Sequence, residues 1–345
     1  MSSNHIRLSN ETNHQLVSLL GLRLIVGIPS VIIFIGGLIG NISTVFTIIR
    51  YRRTTTKDLM FYLVANLAMY DILVMLFALP ITVIRKLAFT WPFGAFLCYT
   101  INGFPPFSGI GSVVTMVSIV IDRYYVVLHA ANPNPKEKQK GLILLALFII
   151  ALAIASPAFI FSKYDDSQST PYCDMVFSTD PAIQIMWRRI YVTLVSVLIL
   201  FLPVTFEVVL YVKILLVLRQ RLKGPTARFN YAYVKAHKNT IKLMLLMTIL
   251  YATTHTPLFT CYLVYRYGGV APENVLVFQL VYIIAHLCFY CKSVINPIIY
   301  TGFIPEHKQW LLCIINFKFI RPRLSSTSIL KFRKNKCTIA PVSAS

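Results

Sequence analysis

Read for its apolar and polar positions, the chain divides into seven long apolar runs, centred near Phe34, Leu73, Val114, Ile149, Leu198, Leu250 and Ile284, with short polar stretches between them. A helix crosses a bilayer with about 20 mainly apolar residues, and each run is that long. In hydrocarbon every backbone N–H and C=O must be satisfied within its own segment, which a helix achieves and a lone strand does not. The pattern predicts an all-α membrane protein, a seven-transmembrane helix bundle. Its expected parts are a polar tail over residues 1–22, a membrane domain over 23–304, a short amphipathic helix over 305–318 and a second tail over 319–345. Pro80, Pro157, Pro203, Pro257 and Pro297 fall inside five different runs, where each removes a helix hydrogen bond and permits a kink. Prolines are also commoner in membrane helices than in soluble ones, so one alone would mean little.

Composition supports this pattern: 57% of residues are hydrophobic and 13% charged, against about 25% charged in a soluble domain. The net charge of +21 would suit nucleic acid if it lay on one aqueous face, so its placement decides. Most of the basic residues border the ends where odd-numbered runs exit: Arg50, Arg52, Arg53 and Lys57, then Arg123, Lys136, Lys138 and Lys140, then Arg219 to Lys242, then Lys308 to Lys336. The positive-inside rule makes that side cytoplasmic and the N-terminus extracellular in a multi-pass protein. Anionic inner-leaflet lipid is the partner this basicity implies, and nucleic acid is not expected.

The first 22 residues carry no short apolar core with a cleavage site, so no removable signal peptide is expected. Asn10-Glu11-Thr12 matches the N-glycosylation acceptor on the external side, whereas Asn41-Ile42-Ser43 lies within a run and should be silent. Cys261, Cys288 and Cys291 lie within runs and read as small apolar filler. Cys98, at the start of the third run, and Cys173, in the loop after the fourth, share the oxidising side and form the only well-placed disulfide pair. Cys313 and Cys337 are internal, and Cys313 sits on the expected amphipathic stretch as a candidate for palmitoylation.

The polar exceptions within the runs carry a resemblance. They are "GN" at 40–41, "NLAMYD" at 66–71, "WPFG" with Cys98, "DRY" at 122–124, Pro203 with Tyr211, Pro257, and "NPIIY" at 296–300, each once, in order and in the matching run. Together they resemble a rhodopsin-like (class A) G-protein-coupled receptor over roughly residues 23 to 318, a plasma-membrane protein and not an enzyme. The resemblance implies that Arg123, flanked by Asp122 and Tyr124, meets the α subunit of a heterotrimeric G protein. Tyr211 and Tyr300 would close inward around it on activation, with Asn296 and Pro297 part of the same switch, while Pro257 lets the sixth helix swing. By position alone Arg123 reads as an arginine snorkelling at a membrane boundary.

The resemblance also implies a polar core of Asn41, Asp71, Ser112, Lys292, Ser293 and His255. Asp71, Ser112, Ser293 and Asn296 surround a mid-membrane pocket where most relatives hold sodium, with a neutral residue at the position of Lys292. A charge at that depth costs at least about 2.5–3.5 kcal/mol unless paired. Lys292 and Asn296 are four apart and share a helix face, so Lys292 is expected to turn toward Asp71 with its ammonium in the ion's place.

Several positions depart from the family. His255 stands where a tryptophan is usual, Tyr251 replaces a phenylalanine, and the fourth run lacks its tryptophan. His237 and Lys238 stand where an acid usually opens the sixth helix, so no salt bridge from Arg123 is available there and appreciable ligand-free signalling is expected.

For the ligand, Pro105 occupies the position of the aspartate that pairs with amines, which excludes an amine. Tyr290 holds the place of the retinal-binding lysine of visual pigments, and Ile101 that of its counter-ion. Lys292 is two residues further on, about 200° around the helix. A peptide fits better: "FALPITV" and "WPFG" resemble the outer halves of peptide receptors. Phe259, Tyr262, Tyr265, Arg266, Gln279, Tyr282, His286 and Tyr290 recur at helical spacing on the outer halves of the last two runs, as pocket candidates or as ordinary packing. Asp165, Asp166, Asp174 and Asp180 form either an acidic rim for a basic ligand or ordinary loop solubility. The alternative reading is an opsin-like or orphan receptor signalling constitutively without a peptide. No internal repeat suggests a transporter, and no cofactor or metal is implied.

Overall fold

In the computed structural model the described residues are 2–51, 58–88, 90–129, 135–167, 169–222, 227–269, 271 and 274–303. The expected helix over 305–318, Cys313 and Cys337 lie outside them, as do the side chains of Asn10, His237 and Lys238. Among the described residues, seven helical stretches are long and apolar enough to span a membrane: Arg23–Arg50, Leu59–Ala88, Gly94–Leu128, Glu137–Ile160, Pro181–Arg221, Ile241–Gly268 and Val277–Gly302.

The first span belongs to α1 (Ser2–Tyr51) and shows how the bundle is assembled. Val26, Ser30, Ile33, Gly37, Gly40, Thr44 and Thr47 are buried and alternate at spacings of four and three, which places them on one helix face. Ile25, Ile28, Ile32, Ile35, Ile39, Ile42 and Ile49 are exposed on the rest of the surface. Small and polar residues therefore face protein while large apolar ones face outward, the arrangement that lipid selects. The inward hydroxyls are satisfied one turn back: Ser30 donates to the Val26 carbonyl at 2.6 Å and Thr44 to that of Gly40 at 3.0 Å.

The second span comprises α2 (Leu59–Leu73) and α3 (Leu79–Ala88), joined by a π turn over Val74–Ala78. The third comprises α4 (Gly94–Ile101) and α5 (Phe104–His129), and the fourth is α6 (Glu137–Ile160). In the fifth, α7 (Pro181–Ser196) meets α8 (Leu202–Arg221) through a second π turn, Val197–Phe201. The sixth lies in α9 (Ala227–Leu263) and ends in a third, Val264–Gly268; the seventh is α10 (Val275–Phe303). Two of these π turns end two residues before Pro80 and Pro203, where the missing N–H and the ring's clash with the preceding turn favour a widened helix.

Helix contacts are close where glycine permits. A Cβ at Gly111 would stand 2.2 Å from the Tyr70 ring, and one at Gly40 2.8 Å from Pro297. Gly111→Ala should therefore displace Tyr70 from its edge-on contact with Phe107, 5.7 Å between centroids. Overpacking of this kind costs about 1–3 kcal/mol, to be read as a lower melting temperature of the solubilised protein. An unchanged melting temperature would show that the Tyr70 ring moves freely.

Two features go beyond the sequence reading. The helix α1 begins at Ser2, inside the expected polar tail, where no proline or glycine interrupts residues 2–20. The connection after the fourth span carries an antiparallel hairpin of β1 (Ser162–Asp165) and β2 (Tyr172–Met175), with Ser162 opposite Met175 and Tyr164 opposite Cys173. The Cys98–Cys173 disulfide ties this hairpin to α4. Trp91 buries beside it, its backbone N–H donating to the Pro171 carbonyl at 2.8 Å and its indole N–H to that of Gly94 at 2.9 Å. Gly94 adopts φ +71°, the left-handed conformation that glycine alone takes without strain and that "WPFG" supplies.

Candidate functional site

At the Arg123 end, Arg123 is 6% exposed and its Nε donates to Oδ2 of Asp122 at 2.8 Å, with Nη2 on the same oxygen. The guanidinium is held by its neighbour, and Tyr124 packs against Val127, Ile214 and Leu218. Tyr211 is buried nearby on α8, its hydroxyl 3.3 Å from that of Thr248 on α9. Thr248 gives its own proton to Oε2 of Glu207 at 2.6 Å, so Tyr211 is the donor to Thr248. Tyr300 on α10 is fully buried in the same core.

Midway along the bundle, Asp71 on α2 is completely buried. Its Oδ1 lies 3.3 Å from Nζ of Lys292 and accepts from Oγ of Ser293 at 3.0 Å, while Oδ2 accepts from Nδ2 of Asn296 at 2.9 Å. Lys292, Ser293 and Asn296 share one face of α10, so a single helix supplies all these groups. Asn41 clamps the opposite side, donating to the Ser293 carbonyl at 2.7 Å and that of Gly37 at 2.9 Å. Ser112 is fully buried, but its hydroxyl has no hydrogen-bond partner among the described residues, so it is not joined to this network.

A sodium ion of the kind the family holds here does not fit these residues. The carboxylate already receives an ammonium, a hydroxyl proton and an amide N–H, and a cation would meet a fixed positive charge at 3.3 Å from Oδ1.

Toward the disulfide end, aromatic and histidine rings continue from this pair. Lys292 Nζ stands 6.0 Å from the Tyr251 ring centroid, Tyr251 lies 3.9 Å from His255, and His255 lies 4.6 Å from Phe289. His255 is buried, with Nδ1 3.0 Å from the Tyr251 carbonyl. A carbonyl only accepts, which fixes the proton on Nδ1. The same reasoning applies to His286, whose Nδ1 lies 2.9 Å from the Tyr282 carbonyl, leaving Nε2 to accept from the Tyr262 hydroxyl at 3.5 Å. Tyr282 meets His286 at 4.4 Å and Tyr262 at 5.6 Å.

Tyr290 donates to Oγ1 of Thr82 at 2.8 Å, joining α10 to α3. Phe259, Tyr262, Tyr282, His286 and Tyr290 thus form one assembly. Tyr265 and Gln279 are exposed, and Tyr265 stacks on Phe278 at 6.0 Å, outside the Tyr262–His286 pair. Arg266 lies near Tyr265, 5.2 Å from its ring. Sequence reasoning passed over Thr82 and Lys86; Lys86 Nζ sits 3.6 Å from the Tyr282 ring centroid, and its only sequence signal is the basic pair it forms with Arg85 at a helix end.

The loop acids are largely engaged. Asp174 pairs with Arg188 at 2.7 Å. Asp180 caps α7 by accepting from the N–H groups of Ala182 at 2.8 Å and Ile183 at 3.0 Å. Hydrogen bonds from Ser167, and then from Tyr172, hold the Asp165 carboxyl below its ordinary range, and the Tyr172 hydroxyl is raised in turn.

Seven spans, the disulfide, and the Asp122–Arg123 and Asp71–Asn296 geometries are what a comparison must match. The family model described as "7 transmembrane receptor (rhodopsin family)" covers residues 40–300. The chain belongs to this family. It is similar to neuropeptide FF receptor 2 of Mus musculus, 27% identical over 332 residues, or 89% of this chain and 78% of that receptor. It is also similar to the substance-K receptor of Mus musculus, 27% identical over 76% of this chain and 67% of the relative. The neuropeptide Y receptor type 6 of Mus musculus is 24% identical over 81% of this chain and 76% of its own length. The receptor is thus a multi-pass membrane protein of a signalling family.

Proposed function

We infer that the receptor binds an extracellular peptide at its disulfide end and drives nucleotide exchange on a heterotrimeric G protein at its Arg123 end. The N-terminus and the hairpin face outside, and anionic lipid of the inner leaflet meets the basic connections. The observation that carries this reading is the unbroken run of buried and half-buried rings from Tyr262 through Tyr282, His286, Tyr290, Phe289 and His255 to Tyr251, ending at the Lys292–Asp71 pair. A ligand that repacks the outer rings acts on the same helices, α9 and α10, that carry Tyr211's partner Thr248 and Tyr300 at the other end. Such a ligand shifts the balance between two packings only by binding one better than the other. The relatives' names, receptors for neuropeptides and for substance K, favour a peptide over retinal or an amine. In this orientation Asn10 would be open to glycosylation and Cys313 to palmitoylation.

The test is a screen of pooled short peptides on cells expressing the chain, read by G-protein dissociation, with some pool expected to activate. Silence from every pool would count against a peptide ligand. Turnover without ligand is also expected to exceed that of membranes lacking the receptor, since His237 and Lys238 offer Arg123 no restraining carboxylate. Equal rates would remove that expectation.

A further inference from the structure

At the outer end of the second span, the Lys86 ammonium sits 3.6 Å from the centroid of Tyr282, whose ring also meets Tyr262 and His286. An aromatic face attracts a cation but supplies no counter-charge and takes none of the ammonium's three donors as a carboxylate would. Arg85, the preceding residue, adds a second positive charge in the last turn of the same helix. Among the described residues neither Arg85 nor Lys86 has a carboxylate within ion-pair distance, and Nε of Arg266 is buried with no hydrogen-bond partner. The loop acids lie elsewhere: Asp174 pairs with Arg188, Asp180 caps the start of α7, Asp165 accepts from Ser167 and Tyr172, and none of the three forms an ion pair with Lys86. Of the hairpin-loop acids only Asp166, at the exposed turn, remains. Among the described residues Lys86 is thus left without a carboxylate of the protein's own to pair with.

We propose that Lys86, standing on the Tyr282 ring beside Tyr262 and His286, is the anchor for a carboxylate of the ligand, so that this receptor selects an anionic peptide. The proposal rests on the peptide reading above and specifies the ligand's chemistry. His286 is 7% exposed, with Nδ1 2.9 Å from the Tyr282 carbonyl and Nε2 3.5 Å from the Tyr262 hydroxyl, and a second positive charge on so buried a ring would be costly. Lys86 therefore carries the selection, with Arg85 adding long-range attraction. The carboxylate can come from a free C-terminus or from an aspartate or glutamate side chain.

Four hexapeptide pools separate these sources: free-acid or amidated C-termini, each with or without Asp and Glu. They are applied to cells expressing the full chain and read by G-protein dissociation. The free-acid pool without acidic residues, or the amidated pool with them, is expected to activate well above the amidated pool lacking carboxylates, and whichever does so names the source. Lys86→Gln should raise the half-maximal concentration of that pool by about tenfold or more, Lys86→Arg should retain the preference, and Lys86→Glu should move it toward an amidated pool rich in lysine. Equal activation by amidated, acid-free peptides would overturn the anionic ligand and leave the peptide reading standing, whereas silence from all four pools would overturn both. Should a Lys86 variant fail to reach the surface, the comparison of pools on the unaltered receptor still decides.

Discussion

Lys292→Ala is expected to remove most of the folded receptor, the largest stability effect of any substitution considered. Asp71 is completely buried and Lys292 is 4% exposed, so alanine leaves a carboxylate with the Ser293 and Asn296 donors but no counter-charge. Breaking a buried pair from one side costs about 3–5 kcal/mol, while replacing both partners by neutral groups is far milder. The double variant Lys292→Ala with Asp71→Asn should therefore melt above the single one and express better at the surface. A single variant as stable as the unaltered receptor would contradict the pairing. With the ammonium in place, signalling should be the same in sodium and in potassium at equal ionic strength; a loss specific to sodium would show that an ion enters despite it.

The second large effect is on signalling. Arg123→Ala should lower G-protein turnover by tenfold or more, about 1.4 kcal/mol or above in barrier terms, at equal surface density. Among the described residues the side chain, 6% exposed, is bonded to the adjacent Asp122, whose side chain is 8% exposed, so its removal also strands a carboxylate, and comparison at equal surface density separates that loss of folding from the loss of coupling. Arg123→Lys keeps the charge but loses the planar fork that grips two acceptors, and should recover only part of the activity.

How much of this was legible in the sequence depends on the range of each interaction. The spans were legible because twenty apolar residues in a row have few other uses. Lys292 could be aimed at Asp71 because Asn296, one turn later, fixes the face. The disulfide followed from the side on which Cys98 and Cys173 lie.

The hairpin was not legible: four-residue strands leave almost no pattern, and the pairing of Ser162 with Met175 spans a connection read only as loop. The acids of that loop were read as possible ligand contacts because Arg188, fourteen residues past Asp174, meets it only once α7 has turned back. The π turns before Pro80 and Pro203 answer a steric conflict that composition does not display. Ser112 was placed with the polar core by its position in the family, yet its hydroxyl stays outside the Asp71 network. Lys86 was overlooked because a cation at a helix end is ordinarily a snorkelling one; only the Tyr282 ring beneath it distinguishes it.

The most direct test of the receptor's role is nucleotide exchange on a purified G protein by the full chain in lipid vesicles, with an activating peptide pool and with Arg123→Ala at matched density. The account predicts that the pool accelerates exchange through the unaltered chain and fails to do so through Arg123→Ala. Equal acceleration through both, or none through either, would contradict it.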